Sequence, residues 1–65
     1  MLYFNIEELL KKHGKSKYWL VTELNSNYTA VNKMINNEIA RIEIKTINKL
    51  LELFNCRIDE LFIVK

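Results

Sequence analysis

Apolar residues recur at helical spacing in four stretches of this chain, and none of the four spans more than about two turns. The stripes are Ile6, Leu9 and Leu10; Leu20, Val21 and Leu24; Val31, Met34 and Ile35; and Ile47, Leu50, Leu51 and Phe54. Helices this short do not persist alone in water, because the cost of nucleating the first turn outweighs the few bonds that follow it. Their apolar faces must lock together. A chain of 65 residues has room for a single small core, so one domain, 1–65, is expected, and its fold class is all-α.

With no proline and one glycine, the helix ends must be inferred from capping chemistry. Asn5 can cap a first helix, with Glu7 and Glu8 in its first turn, and Gly14 supplies the left-handed residue beyond its end. Ser16 caps a second helix, Lys17 to Leu24. The pair Asn25-Ser26 then marks a tight turn, since asparagine is the non-glycine residue that best tolerates a left-handed backbone. Asn27 caps a third helix that runs to Asn36-Asn37. The segment Ile39 to Ile44 alternates apolar and polar residues like a short strand; with no partner strand nearby in sequence, it is read as an extended connection that tucks Ile42 and Ile44 into the core. A fourth helix ends at Asn55, and a final turn, Asp59 to Phe62, returns Leu61 and Phe62 to the bundle.

Composition removes several function classes. Apolar residues make up 49% of the chain and charged residues 28%, the balance of a folded domain. A single cysteine excludes an intramolecular disulfide, so Cys56 is expected as a reduced, half-buried thiol and the cytoplasm as the location. No apolar run approaches the roughly 20 residues of a membrane span, and no membrane role is expected. His13 falls at the end of the first helix, where a favourable interaction with the dipole accounts for it, and no second ligand has metal-site spacing. No metal, cofactor or small-molecule substrate is expected. No nucleophile-base or paired-carboxylate arrangement is present, and the chain is read as not an enzyme.

The net charge of +2 is small, but it is unevenly spread. Between Lys15 and Lys45 five cations (Lys15, Lys17, Lys33, Arg41, Lys45) stand against three anions (Glu23, Glu38, Glu43), while the rest of the chain balances at five of each sign. The excess coincides with two short helices joined by a turn of about three or four residues, the second with a polar outer face of Thr29, Lys33 and Asn36 flanked by Tyr28 and Asn32. Such a helix fits the major groove, where asparagine can pair with adenine and lysine can donate to guanine. The helix-turn-helix unit covers about residues 16–36.

These residues resemble the Cro/CI-type (Xre-like) helix-turn-helix regulators. The resemblance runs through Ser16-Lys17-Tyr18-Trp19-Leu20-Val21, then Asn27 to Asn36, Thr46 to Leu51 and Asn55 to Phe62, nearly the whole chain. It implies a compact five-helix bundle of the lambda-repressor-like type. It further implies base contacts from Tyr28, Thr29, Asn32 and Lys33, and phosphate contacts from Lys17, Asn27, Asn36 and Arg41. The sequence departs from the family in having Asn25 for the usual glycine of the turn, Ser26 for an apolar residue, Val21 for a small residue and Trp19 for a polar one. Trp19 could lie over the sugar-phosphate backbone or mark a protein interface. Tyr28 could read a base, or pack its ring beside Val31 and offer its hydroxyl to a phosphate.

The C-terminal run Leu61 to Lys65 is apolar enough to need cover. Either it completes the core of one subunit, or Phe62, Ile63 and Val64 pack across a two-fold axis in a homodimer. The expected function is that of a sequence-specific, double-stranded DNA-binding regulator of transcription, a dimeric repressor reading a palindromic operator. The alternative is a protein-interaction module that keeps the same scaffold with little DNA binding.

Overall fold

The first four helices all stop in the same way, on a residue with left-handed backbone. In the computed structural model, which describes all residues 1–65, those residues are Gly14 (φ 64°), Asn25 (φ 51°), Asn37 (φ 59°) and Asn55 (φ 47°). At each, the left-handed residue's N–H bonds back three residues and the next N–H bonds back five: Gly14 to Lys11 and Lys15 to Leu10, Asn25 to Thr22 and Ser26 to Val21, Asn37 to Met34 and Glu38 to Lys33, Asn55 to Glu52 and Cys56 to Leu51. This double closure satisfies carbonyls that a helix end would otherwise leave orphaned. Asparagine thus performs three times the service usually left to glycine.

Between these stops lie α1 (Ile6–His13), α2 (Lys17–Glu23), α3 (Tyr28–Ile35), α4 (Ile44–Phe54) and a single turn, α5 (Ile58–Leu61). Acidic Glu7 and Glu8 open α1, and Lys11, Lys12 and His13 close it, in keeping with its dipole. Asn5 precedes α1, but its side chain makes no capping bond. Instead its N–H donates to Leu61 O at 2.8 Å and its Nδ2 to Glu60 O at 3.3 Å, tying the start of α1 to α5.

Ten residues are buried, all apolar: Phe4, Ile6, Leu9, Leu10, Leu20, Val31, Met34, Leu50, Phe54 and Leu61. They form one cluster drawn from every helix and from the N-terminal strand. The predicted stripes supply all of it but Phe4 and Leu61, with Val21, Leu24, Ile35, Ile47 and Leu51 packed around its margin.

Two expectations need correction. The fold is helical but not purely so, because β1 (Leu2–Phe4) and β2 (Phe62–Val64) pair antiparallel in the register Leu2 with Val64, Tyr3 with Ile63 and Phe4 with Phe62. The rings of Phe4 and Phe62 stack at 4.7 Å between centroids, so the C-terminal run is covered within the subunit at Phe62. The strands are three residues each and join opposite ends of the chain. The second correction concerns the Ile39 to Ile44 segment. Ile42 is half-buried against the core, whereas Ile44 begins α4 and is 75% exposed. The alternation that reads as a strand is broken when the backbone turns helical at Ile44, which swings that side chain outward.

Asn55 is exposed and its side chain makes no hydrogen bond, so its value lies in its backbone conformation. Asn55→Ala should lower stability by about 1–2 kcal/mol, while Asn55→Gly should stay within about 0.5 kcal/mol of the parent, in equilibrium urea unfolding. An alanine variant as stable as the parent would show that the left-handed stop contributes nothing.

Candidate nucleic-acid interface

The helix-turn-helix unit is held by two side-chain caps and one left-handed turn. Ser16 Oγ accepts the Trp19 N–H at 3.1 Å and fixes the first turn of α2. Asn27 Oδ1 accepts the Ala30 N–H at 2.8 Å and does the same for α3. Between them Asn25 adopts the conformation for which the turn ordinarily uses glycine. α2 and α3 are in direct contact, with Leu20 and Val31 fully buried in the common core. Val21, larger than the residue expected there, packs half-buried at the margin of that core.

This bracing leaves the other side of α3 in solvent. Thr29, Lys33 and Asn36 are exposed, and Tyr28 at the first helical position is 49% exposed. Asn32 is different. It lies one residue beyond buried Val31, about 100° around the helix, and is half-buried, with its Oδ1 shut off from solvent and without a hydrogen-bond donor from the chain. A paired bond to adenine needs both amide atoms, so Asn32 must turn outward to make it.

Of the residues expected to hold phosphates, Lys17, Asn27, Asn36 and Arg41 are all exposed. Asn27 uses its oxygen for the cap, which leaves the amide nitrogen as the donor for an anion. Arg41 lines an open groove beside α3. Thr29, Ala30, Lys33 and Met34 of α3 line it together with Arg41, Ile42, Lys45 and Lys49, and two carboxylates, Glu23 and Glu43, lie in its wall. Lys45, Thr46 and Lys49 line the groove without having been expected there: Lys45 and Thr46 fall between the expected extended connection and the stripe that starts at Ile47, and Lys49, within that stripe, carries no local sign of what it packs beside. The available signal was their spacing: Lys45 and Lys49 are i, i+4, one face of a helix, where like charges repel unless something neutralises them.

The pairing of charges separates this region from the rest of the surface. Lys11 lies 3.9 Å from both Glu7 and Glu8, Lys12 lies 3.7 Å from Glu60, and Arg57 is 2.9 Å from Asp59. Lys15 sits over the Trp19 ring at 5.3 Å and Lys65 over Tyr3 at 5.9 Å. Lys45 pairs with Glu43 at 3.6 Å. Lys17, Lys33, Arg41 and Lys49 have neither an acidic nor an aromatic partner. Four unpaired cations on and around one helix-turn-helix unit form a surface suited to a polyanion.

Trp19 neither stands free nor faces this groove. It is half-buried and its ring meets Phe54 at 5.7 Å, so it joins the core beneath Lys15. His13 also approaches Phe54, with centroids 5.7 Å apart. Cys56 is half-buried; burial first, and then the Glu60 carboxylate, push its thiol pKa up, so the thiolate is disfavoured at neutral pH.

An acceptor that is buried without a donor costs about 1–3 kcal/mol. Asn32→Ala removes that acceptor and adds a better helix former, so the free protein should gain stability, up to about 1 kcal/mol in urea unfolding. A loss of more than 1 kcal/mol would mean that the Asn32 amide is a structural asset.

No curated protein matches the chain. A family model, that of the Cro/C1-type HTH DNA-binding domain, matches residues 5–65, from the start of α1 through the C-terminal strand. Because that match takes in the braced α2–α3 unit, the groove and nearly every other residue, the chain belongs to the Cro/C1-type helix-turn-helix DNA-binding domain family.

Proposed function

We propose that this protein is a sequence-specific regulator of transcription that lays α3 in the major groove of duplex DNA and represses by occupying its operator. Its role is binding, without catalysis, and its place is the cytoplasm, where its single thiol stays reduced. One observation carries the reading: the cations left without partners, Lys17, Lys33, Arg41 and Lys49, lie on and around the unit whose second helix presents Thr29 and Lys33 to solvent. Tyr28, Thr29, Asn32 and Lys33 are assigned to bases. Lys17, Asn27, Asn36 and Arg41, joined by Lys49, are assigned to phosphates.

A single α3 with four base-facing side chains offers limited selectivity, at about 1–3 kcal/mol of discrimination for each good pair. The proposal therefore includes a homodimer on a palindromic site. The tail supports it: Val64 is 80% exposed opposite Leu2 at 61%, so the outer end of the terminal ribbon presents apolar side chains that a second copy could cover. Phe62 is engaged with Phe4, which leaves Ile63 and Val64 as the tail residues available for that contact. The same exposed patch is what favours the second reading, a protein-interaction module with little affinity for DNA.

Selection of bound fragments from random duplexes separates the two. A dimeric regulator yields a two-fold related motif with half-sites about 34 Å apart, whereas an interaction module yields no enriched motif. On the selected duplex, binding should weaken steeply with salt, and Lys49→Ala should flatten the slope of log K against log salt by about 1 while keeping the preferred sequence. Lys33→Ala should change the preferred sequence. Unaltered preference in Lys33→Ala, or an unaltered slope in Lys49→Ala, would remove that residue from the assigned interface.

A further inference from the structure

The recognition helix is anchored at its start by the Asn27 cap and the turn to α2, but its far end is held by a different part of the molecule. Asn37, in its left-handed conformation just beyond α3, accepts the Phe4 N–H on Oδ1 at 2.6 Å and directs Nδ2 toward Ile35 O at 3.5 Å. Its own N–H closes on Met34 O at 3.1 Å, and the following N–H, of Glu38, closes on Lys33 O at 2.8 Å. Phe4 is a buried residue of β1 whose ring stacks on Phe62 of β2. Its N–H bond to Asn37 is the one hydrogen bond that joins the terminal ribbon to the end of α3, across 33 positions of sequence.

We infer that Asn37 is a positioning residue for DNA reading: through the Phe4 N–H it bolts the C-terminal end of α3 to the β1–β2 ribbon and fixes the angle at which Thr29 and Lys33 are presented. The inference rests on the proposal that α3 faces DNA. Its mechanical basis is leverage. An eight-residue helix is about 12 Å long, so a pivot of roughly 5° about its start moves its end by about 1 Å and the Lys33 backbone by about 0.7 Å, enough to spoil hydrogen-bond geometry at a base edge there, while Thr29, beside the pivot, moves little. Apolar packing under Val31 and Met34 resists separation from the core more than it resists such a pivot, because it is non-directional. A directional bond at the far end resists the pivot itself.

Two variants remove the same bond from opposite sides. Asn37→Gly keeps the left-handed stop and loses the acceptor; replacement of Phe4 by its α-hydroxy acid in a synthetic chain loses the N–H and keeps every side chain. Each should bind the selected duplex about three- to tenfold more weakly than the parent at matched salt, with an unchanged salt slope. The double variant should be no weaker than either alone. In the free protein, amide hydrogen exchange at Asn36 and Glu38 should quicken in both variants while amides in α1 keep their rates. Parental affinity in both variants, additive losses, or an effect confined to Asn37→Gly would overturn the inference. Should the parent bind no duplex at all, the DNA reading fails and the role in reading with it. The exchange rates then decide the bolt separately, and unchanged rates at Asn36 and Glu38 would disprove it.

Discussion

Leu20 and Val31 are buried in one core with α2 and α3 in contact, and the placement of both helices follows from that burial. Neither helix is long enough to be stable alone, so each exists because the other covers its apolar side. That contact also decides which side of α3 remains in water. With Val31 and Met34 turned inward, Thr29, Lys33 and Asn36 have no choice but to face out. Ser16, Asn25 and Asn27 then fix where each helix begins or stops, and the polar face acquires a defined position relative to the groove.

Much of this was legible in the sequence because it is written in local terms. A cap is a side chain acting on a backbone N–H three residues away, and a left-handed stop is a property of one residue, so Ser16, Asn25, Asn27, Asn37 and Asn55 could be read in place. The terminal strands could not. Leu2 and Val64 carry no local sign of their pairing, and three residues are too few to show a period of two against chance. The start of α4 was misjudged for the opposite reason: Ile42 and Ile44 do alternate, but the helix beginning at Ile44 overrides that pattern. Lys45 escaped with it, and Lys49 escaped because its place beside α3 is set by how α4 packs and not by any local pattern.

Stability and binding would pull apart at Asn32 if it reads a base as proposed. Its oxygen lies buried without a donor from the chain, which costs stability in the free protein. Turned outward toward a base edge, the same amide would exchange that cost for two hydrogen bonds. The unpaired cations tell a similar story. Elsewhere Lys11, Lys12 and Arg57 have carboxylates within 4 Å, whereas Lys17, Lys33, Arg41 and Lys49 stand unneutralised on and around the α2–α3 unit. Mutual repulsion there is screened in water and would be outweighed by attraction to a phosphate backbone.

In the function proposed above, duplex DNA meets the protein on the outer side of α3 and the groove beside it. Titrating the isotope-labelled protein with its selected duplex and following each backbone amide by NMR tests this directly. The largest shift changes are expected at Lys17, from Asn27 to Lys33, and from Arg41 to Lys49, with α1 and the β1–β2 ribbon least affected by the contact. Changes centred on the ribbon or on Trp19, with the amides from Asn27 to Lys33 unmoved, would contradict it.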